Sequence, residues 1–185
     1  MMSRNPWPTR LPAFLAVLLC SFPAQAERFG LKGIVLGSPV SQIANNPSYD
    51  CRAVKTPTAD RVCSLRKDET DTLAGAPVSS AFYYYDQGAL TGIVVHLDEK
   101  RFPSVLAALS SKYGRPSSRT ETVKNLSGKP FENSIHRWQL GDDAIVAQRY
   151  SGRLDQSSVR ISDETAAARI RQRRDLLIRQ PGSDL

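Results

Sequence analysis

The chain has 185 residues, a formal net charge of +7 and 41% hydrophobic residues, with acidic and basic side chains interspersed. This length suits one domain with a proper core, or two small halves packed together. After the first 26 residues, no apolar run approaches the roughly 20 residues that a membrane helix needs. The composition therefore excludes an integral membrane span in the rest of the chain.

Residues 1–26 have the pattern of a cleaved signal peptide. Two arginines precede a short apolar stretch, and Ala24-Gln25-Ala26 offers the small-x-small site that signal peptidase cuts. Cleavage after Ala26 removes both arginines and no acid, so residues 27–185 carry a formal net charge of +5. We expect an exported protein, periplasmic or secreted. Such a protein has no nucleic-acid partner, although a mildly basic surface permits weak contact with anionic lipid or polysaccharide.

Two cysteines remain after cleavage, Cys51 and Cys63, in a polar, turn-rich stretch. Two cysteines in an exported chain typically form a disulfide. Closing a loop of this size stabilises the fold by roughly 3 kcal/mol in the chain-entropy model. The alternatives are a redox pair or a metal pair. The spacing is not C-x-x-C, and no histidine lies nearby to complete a metal site. The sequence therefore predicts a structural disulfide that joins two short strands.

The first elements are short. Glycines bracket an apolar strand at Gly33–Gly37, and Ser38-Pro39 has the form of an N-cap followed by a first helical residue. A short helix from Pro39 to Ala44 should follow. The two cysteine-bearing segments, 51–54 and 61–65, are predicted strands.

The clearest two-strand signal lies between Ala81 and Asp98. An aromatic run, Phe82 to Tyr85, meets the turn Asp86-Gln87-Gly88 and then a β-branched run. The pattern predicts a β-hairpin at the centre of an antiparallel sheet. Alternation places Ile93, Val95 and Leu97 on one face and His96 on the other.

The aromatic run supplies a candidate interaction surface. Either Tyr83 with Tyr85 or Phe82 with Tyr84 must face away from the helix layer. Exposed tyrosine offers a large, rigid contact area with a polar tip. We assign Tyr83 and Tyr85 to the interaction surface; the alternative is that both faces of the sheet are covered.

A second helix and four further strands follow. Phe102-Pro103 opens the helix, an apolar stripe runs from Phe102 to Tyr113, and Gly114 is its C-cap. The predicted strands are 119–124, 135–140, 144–150 and 157–162, with Val159 and Ile161 facing inward. A polar loop, Asn125 to Asn133, separates the first two.

The C-terminal segment 163–185 is predicted to be an amphipathic helix and tail. Ser162 should cap it, acids occupy its first turn, and five arginines populate the later turns, as the helix dipole favours. Arg171 and Arg174 belong to a candidate anionic docking surface. The alternative is a solvated arginine face.

Together these elements predict an α+β fold. Antiparallel sheet is covered on one face by helices, and a helix precedes a run of strands twice, in halves 27–100 and 101–162. This order, with Gly37-Ser38-Pro39 and the aromatic strand before Gly88, resembles the small lipoprotein family of the outer-membrane assembly machine. It is also similar to the β-lactamase inhibitor protein. The lipoprotein family carries a lipidated cysteine, which is not predicted here because Leu19 precedes Cys20.

The sequence shows no pattern for an enzyme, a metal site or a cofactor. Only two histidines are present, His96 and His136, both within predicted strands and without a Gly-x-Ser-x-Gly elbow. We therefore predict a non-enzymatic exported module that binds another envelope protein, in assembly or secretion. Two alternatives remain: an inhibitor that inserts the loop Asn125–Asn133 into another enzyme's cleft, and a hydrolase whose site assembles from distant residues.

Overall fold

A computed structural model describes residues 27–179 and confirms an α+β fold dominated by antiparallel sheet. Its strands are β1 (Gly30–Leu31), β2 (Ile34–Val35), β3 (Tyr49–Thr56), β4 (Ala59–Leu65), β5 (Thr72–Leu73), β6 (Ala76–Asp86), β7 (Ala89–Asp98), β8 (Ser117–Lys124), β9 (Pro130–Leu140), β10 (Asp143–Gln148) and β11 (Gln156–Asp163). Its α-helices are α1 (Ser41–Ala44), α2 (Phe102–Tyr113) and α3 (Glu164–Arg179).

The main sheet is continuous, with the strand order β3-β4-β6-β7-β11-β10-β9-β8; β5 adds a short pairing to β6. Every pairing is antiparallel. A helix followed by a four-stranded meander occurs twice along this path, first α1 with β3, β4, β6 and β7, then α2 with β8 to β11. The two meanders join where β7 pairs with β11, so that they share one core.

One face of the sheet, here called the buried face, carries the core. The predicted inward residues Ile93, Val95 and Leu97 are all at most 1% exposed, and Val159 and Ile161 face the same layer. Because side chains alternate along a strand, every second residue of each strand points to this face, and residues paired across neighbouring strands share it. The core therefore runs through both meanders.

Helix α2 covers the buried face with Phe102, Val105 and Leu109, as its stripe predicts. Gly114 ends the helix at φ 80°, and its carbonyl oxygen accepts a 2.8 Å hydrogen bond from the Trp138 indole N–H. That bond ties the C-terminus of the helix to β9. A buried Trp N–H would otherwise lack a partner, so the contact fixes the position of the helix on the sheet.

The segment before β1 is fastened to the second meander. Arg28 donates to Asp143 at 2.6 Å and to Asp163 at 2.8 Å, and the Phe29 N–H donates to Asp143. Burial opposes the charge of Asp163, but hydrogen bonds from the Ala166 N–H and from Arg28 hold its pKa below the usual value. The predicted N-terminus of the mature chain is thus part of the fold.

Local caps differ from the sequence prediction. Helix α1 begins at Ser41, and Ser38 accepts a hydrogen bond from the Val35 N–H within the preceding turn. At α3 the cap is Asp163, which accepts from the Ala166 N–H, while the Ser162 hydroxyl donates to Glu164. Asp is as good an N-cap as Ser, and the strand β11 continues through Ser162.

The predicted disulfide is confirmed: Cys51 and Cys63 are bonded and lie opposite each other on β3 and β4. Among residues 27–179, no helix is long and apolar enough to cross a membrane. The predicted signal peptide and the end of the C-terminal tail lie outside the described residues.

Candidate protein-interaction surface

The prediction for Tyr83 and Tyr85 was wrong, because both lie on the buried face. Tyr83 is 1% exposed and Tyr85 0%, packed in the same layer as Cys63 and Ile93. Burial raises the pKa of Tyr85 to about 12. The outward pair is instead Phe82 with Tyr84, which are half-buried on the opposite face.

That opposite face, here called the open face, combines aromatic, aliphatic and basic side chains. Cross-strand register places Phe82, Val94, Arg160, Val146 and Arg137 in one row across five neighbouring strands. Arg160 is exposed and the other four are half-buried. Large apolar groups interleaved with arginines are typical of protein recognition surfaces.

Arg160 lies near the middle of the open face, on the central strand β11. Burial lowers the pKa of His96, and the charge of Arg160 lowers it further. Burial raises the pKa of Tyr84, and the charge of Arg160 opposes this rise. The register places His96 and Tyr84 on the same face as Arg160, in the rows on either side of it. Among the described residues, no acid forms an ion pair with Arg160.

Gly92 leaves a gap beside Arg160. It pairs with Tyr84 on one side and Ser162 on the other, in the row next to that of Arg160. A methyl group built on Gly92 would approach only the Ile161 carbonyl oxygen, at 3.4 Å. Gly92 therefore adds no side chain between Tyr84 and Ser162, and this gap, with Arg160 in the next row, is here called the notch.

Two hollows flank this centre. One, of about 320 Å³, lies beside Val146 and Arg137 and reaches Ile135 and Arg119. The other, of about 760 Å³, lies beside Phe82 and is lined by Ser64, Ser80 and the charged turn that follows β4. The open face is thus contoured rather than flat across its width.

The other arginines of the open face differ in whether an acidic side chain lies close to them. Arg137 has Glu164 at 3.7 Å, and Arg119 has Glu121 at 3.8 Å. Arg52 is exposed at the far edge, in the row of Tyr84. Arg160 is therefore the arginine at the centre of the open face that has no acidic partner among the described residues. Its guanidinium N–H groups remain available as donors.

The two histidines lie on opposite faces. On the open face, His96 Nδ1 shares a 3.0 Å hydrogen bond with Ser80; on the buried face, His136 Nδ1 shares one of 2.8 Å with Ser118. Burial lowers the pKa of both imidazoles, which favours their neutral form. Within residues 27–179, no carboxylate hydrogen bonds to either ring, so neither pair forms a Ser-His-Asp arrangement.

The predicted arginine surface on α3 is separate from the centre of the open face. Arg171 and Arg174 are exposed, and Arg174 has Asp175 at 3.6 Å. Arg173 instead faces the sheet and forms a 2.7 Å ion pair with Asp86 at the tip of the β6–β7 hairpin. This pair joins α3 to the central hairpin.

The predicted loop Asn125–Asn133 is strand in its last four residues. β9 already begins at Pro130, and only residues 125–129 form the turn. Asn133 is 0% exposed; its amide donates to Glu121 and to the Tyr150 carbonyl, and accepts from the Tyr150 N–H. The β8–β9 hairpin extends beyond the end of β10 and carries the fully exposed Leu126 at its tip.

A cavity of about 710 Å³ surrounds Arg28, with Asp142, Asp143 and Asp163 among its lining residues. Arg28 already neutralises two of these acids, and Asp142 accepts from the Thr165 hydroxyl. We assign this cluster to the fastening of the N-terminal segment. No group of metal-ligating side chains is assembled within the described part of the chain.

Comparisons with protein-family models, curated protein sequences and solved structures found no match. Sequence reasoning missed Arg160, although a signal was present. The alternation that places Val159 and Ile161 inward also places the residue between them on the outer face.

Proposed function

We propose that this protein is an exported, non-enzymatic interaction module that binds another envelope protein through the open face of its sheet. The observation that carries the proposal is the row Phe82–Val94–Arg160–Val146–Arg137. Each of its apolar members is partly exposed within the fold. A partner would complete their burial, at about 25 cal/mol per Å² of apolar area.

Export is supported by the predicted signal peptide and by the disulfide. The Cys51–Cys63 bond is compatible with an oxidising compartment. We propose the periplasm as the site of action, with α3 and its exposed arginines adding a weak attraction to anionic surfaces.

Site-specific photocrosslinking in the producing cells tests this proposal. A photoreactive residue is placed at Val94 on the open face, at Ser104 on the exposed side of α2, and at Thr58 in the β3–β4 turn. We expect a discrete protein adduct from position 94 that is absent at 104 and 58, and whose yield falls at least fivefold in Tyr84→Ala. Equal adducts at all three positions, or none at 94, would contradict the proposal.

The inhibitor alternative has one specific observation in its favour. The turn 125–129 is held by its own hydrogen bonds: the Asn125 side chain accepts from the Ser127 and Lys129 N–H groups. This rigid tip presents Leu126, 110% exposed, with lysines on either side. A pre-ordered loop loses little entropy on entering a cleft.

Purified protein tests this alternative against panels of cell-wall hydrolases and β-lactamases. The inhibitor function predicts dose-dependent inhibition that Leu126→Asp reduces at least tenfold and Tyr84→Ala leaves unchanged. Leu126 is fully exposed, so its substitution should leave stability within about 0.5 kcal/mol. Inhibition that is unaffected by Leu126→Asp would rule out the loop as the inhibitory element.

A further inference from the structure

We propose that the notch formed by Arg160, Tyr84 and Gly92 is a subsite for a carboxylate carried by an acidic segment of the protein partner. This inference rests on the proposed function and specifies the chemistry that the open face recognises. It concerns one position in the middle of the sheet. The rest of the face supplies apolar contact around it.

The first argument is charge. Arg160 is exposed, and among the described residues no acid pairs with it, whereas Arg119, Arg137 and Arg173 all have acidic neighbours. Arg52 and Arg137 lie on the same face to either side. An exposed arginine without an acidic partner attracts acidic groups and repels basic ones.

The second argument is the surroundings of the guanidinium. Val94 and Val146 are its direct cross-strand neighbours, and Tyr84 and His96 lie on the same face in the rows on either side. A bound partner would exclude water from this ring of apolar groups. Because the local dielectric constant would then fall, a charge-assisted hydrogen bond from Arg160 would strengthen.

The third argument is shape. Gly92 adds no side chain between Tyr84 and Ser162, and within 4 Å of the position of an added Cβ only the Ile161 carbonyl oxygen is found, at 3.4 Å. The planar fork of an arginine donates two parallel hydrogen bonds to a carboxylate. We place the bound carboxylate over Gly92, directly opposite Tyr84 and in the row next to that of Arg160.

The partner is an acidic protein segment rather than an anionic lipid. A membrane surface is broad and binds best to projecting cations, whereas Arg160 lies within a sheet face among half-buried apolar groups. The projecting arginines are those of α3, at Arg171 and Arg174. Lipid binding would therefore depend on α3, and carboxylate binding on Arg160.

NMR titration of the exported chain, residues 27–185, tests the subsite without knowledge of the natural partner. The probe is the capped peptide acetyl-Glu-Phe-Glu-amide, and its control is the same peptide with glutamine in place of glutamate. We expect the acidic peptide to shift the Arg160 Nε–H and Gly92 N–H resonances. The glutamine peptide should bind at least tenfold more weakly.

Substitutions show which residues of the open face contribute to binding of the acidic peptide. Arg160→Gln should weaken binding of the acidic peptide at least tenfold, and Arg160→Lys about threefold because the charge stays and the fork is lost. The matched control Arg119→Gln, an arginine at the edge of the same face, should leave binding unchanged. Gly92→Val should also abolish binding by filling the notch; if it fails to fold, Arg160→Gln alone decides.

Several results would overturn the inference. These are equal binding of the two peptides, unchanged binding in Arg160→Gln, or shifts confined to Arg171 and Arg174. Stronger binding of inorganic phosphate than of the acidic peptide at Arg160 would make the site a phosphate site. Binding of free phenylacetate without binding of the peptide would make it a small-molecule site. The peptide titration does not use the natural partner. A negative result would therefore overturn the carboxylate subsite, while the crosslinking test still decides the proposed function separately.

Discussion

The two faces of the sheet are built from the same strands but have opposite roles. On β6, Tyr83 and Tyr85 are buried in the core. The residues that alternate with them, Phe82 and Tyr84, are partly exposed on the open face. On β11, Val159 and Ile161 face the core and Arg160 faces outward. The buried face is covered by α2 and the N-terminal segment. Helix α3 covers the hairpin-tip end of the open face through the Arg173–Asp86 pair, and we infer that a partner covers the rest.

The largest expected difference between the faces is in stability. Tyr83→Ala should lower the free energy of unfolding by about 3–5 kcal/mol, because it removes a buried aromatic ring and leaves a cavity. Tyr84→Ala should lower it much less, by about 1 kcal/mol, because that ring is partly exposed and lies outside the core. Urea unfolding followed by tryptophan fluorescence measures both. Equal losses would mean that the two faces are equally structural.

A second difference concerns arginines. Arg28→Ala should cost about 2 kcal/mol, because it leaves the buried Asp143 carboxylate without its charged partner. Arg160→Ala, on the open face, should change the free energy of unfolding by about 0.5 kcal/mol or less. Chemical unfolding of the two variants side by side checks this. A cost at Arg160 as large as that at Arg28 would show that it stabilises the fold.

A third difference lies in the tyrosine hydroxyls. The Tyr85 hydroxyl is the one buried side-chain polar atom within residues 27–179 that lacks a hydrogen-bond partner. Tyr85→Phe should therefore raise the free energy of unfolding by about 1 kcal/mol. The matched control Tyr84→Phe, on the open face, should change it little. Destabilisation by Tyr85→Phe would indicate that an ordered water satisfies this hydroxyl.

The smallest expected effect is that of pH. Burial lowers the folded-state pKa of His136 and of His96, and Arg160 adds to the lowering at His96. The unfolded chain therefore binds protons near pH 6.5 that the folded chain does not, so stability is complete above pH 6.5 and is lost as pH falls below it. Replacement of either histidine by glutamine should flatten this dependence. A stability that rises on acidification would contradict the assignment.

The sequence predicted the strands, the central hairpin, α2 and the disulfide, because each is set by local spacing or by a residue pair. It did not predict which aromatic pair on β6 is buried. All four residues from Phe82 to Tyr85 are aromatic, so alternation gives no hydrophobic contrast, and the register against Cys63 and Ile93 decides.

Long-range polar contacts were also invisible to sequence reasoning. Arg28 bonds to residues 115 and 135 positions away. Asn133, in a segment predicted to be loop, is completely buried because its amide bonds to Glu121 and to the backbone of Tyr150. No local pattern marks either residue, since the partners meet only after the sheet has formed.

The most direct test of the central claim separates binding from folding on the open face. The variant with both Tyr84→Ala and Arg160→Gln is produced in cells with the photoreactive residue at Val94, and its free energy of unfolding is measured after purification. We predict at least a tenfold loss of the protein adduct with a stability change of about 1.5 kcal/mol or less. An undiminished adduct, or an adduct lost only together with the fold, would contradict the claim that this face recognises a partner.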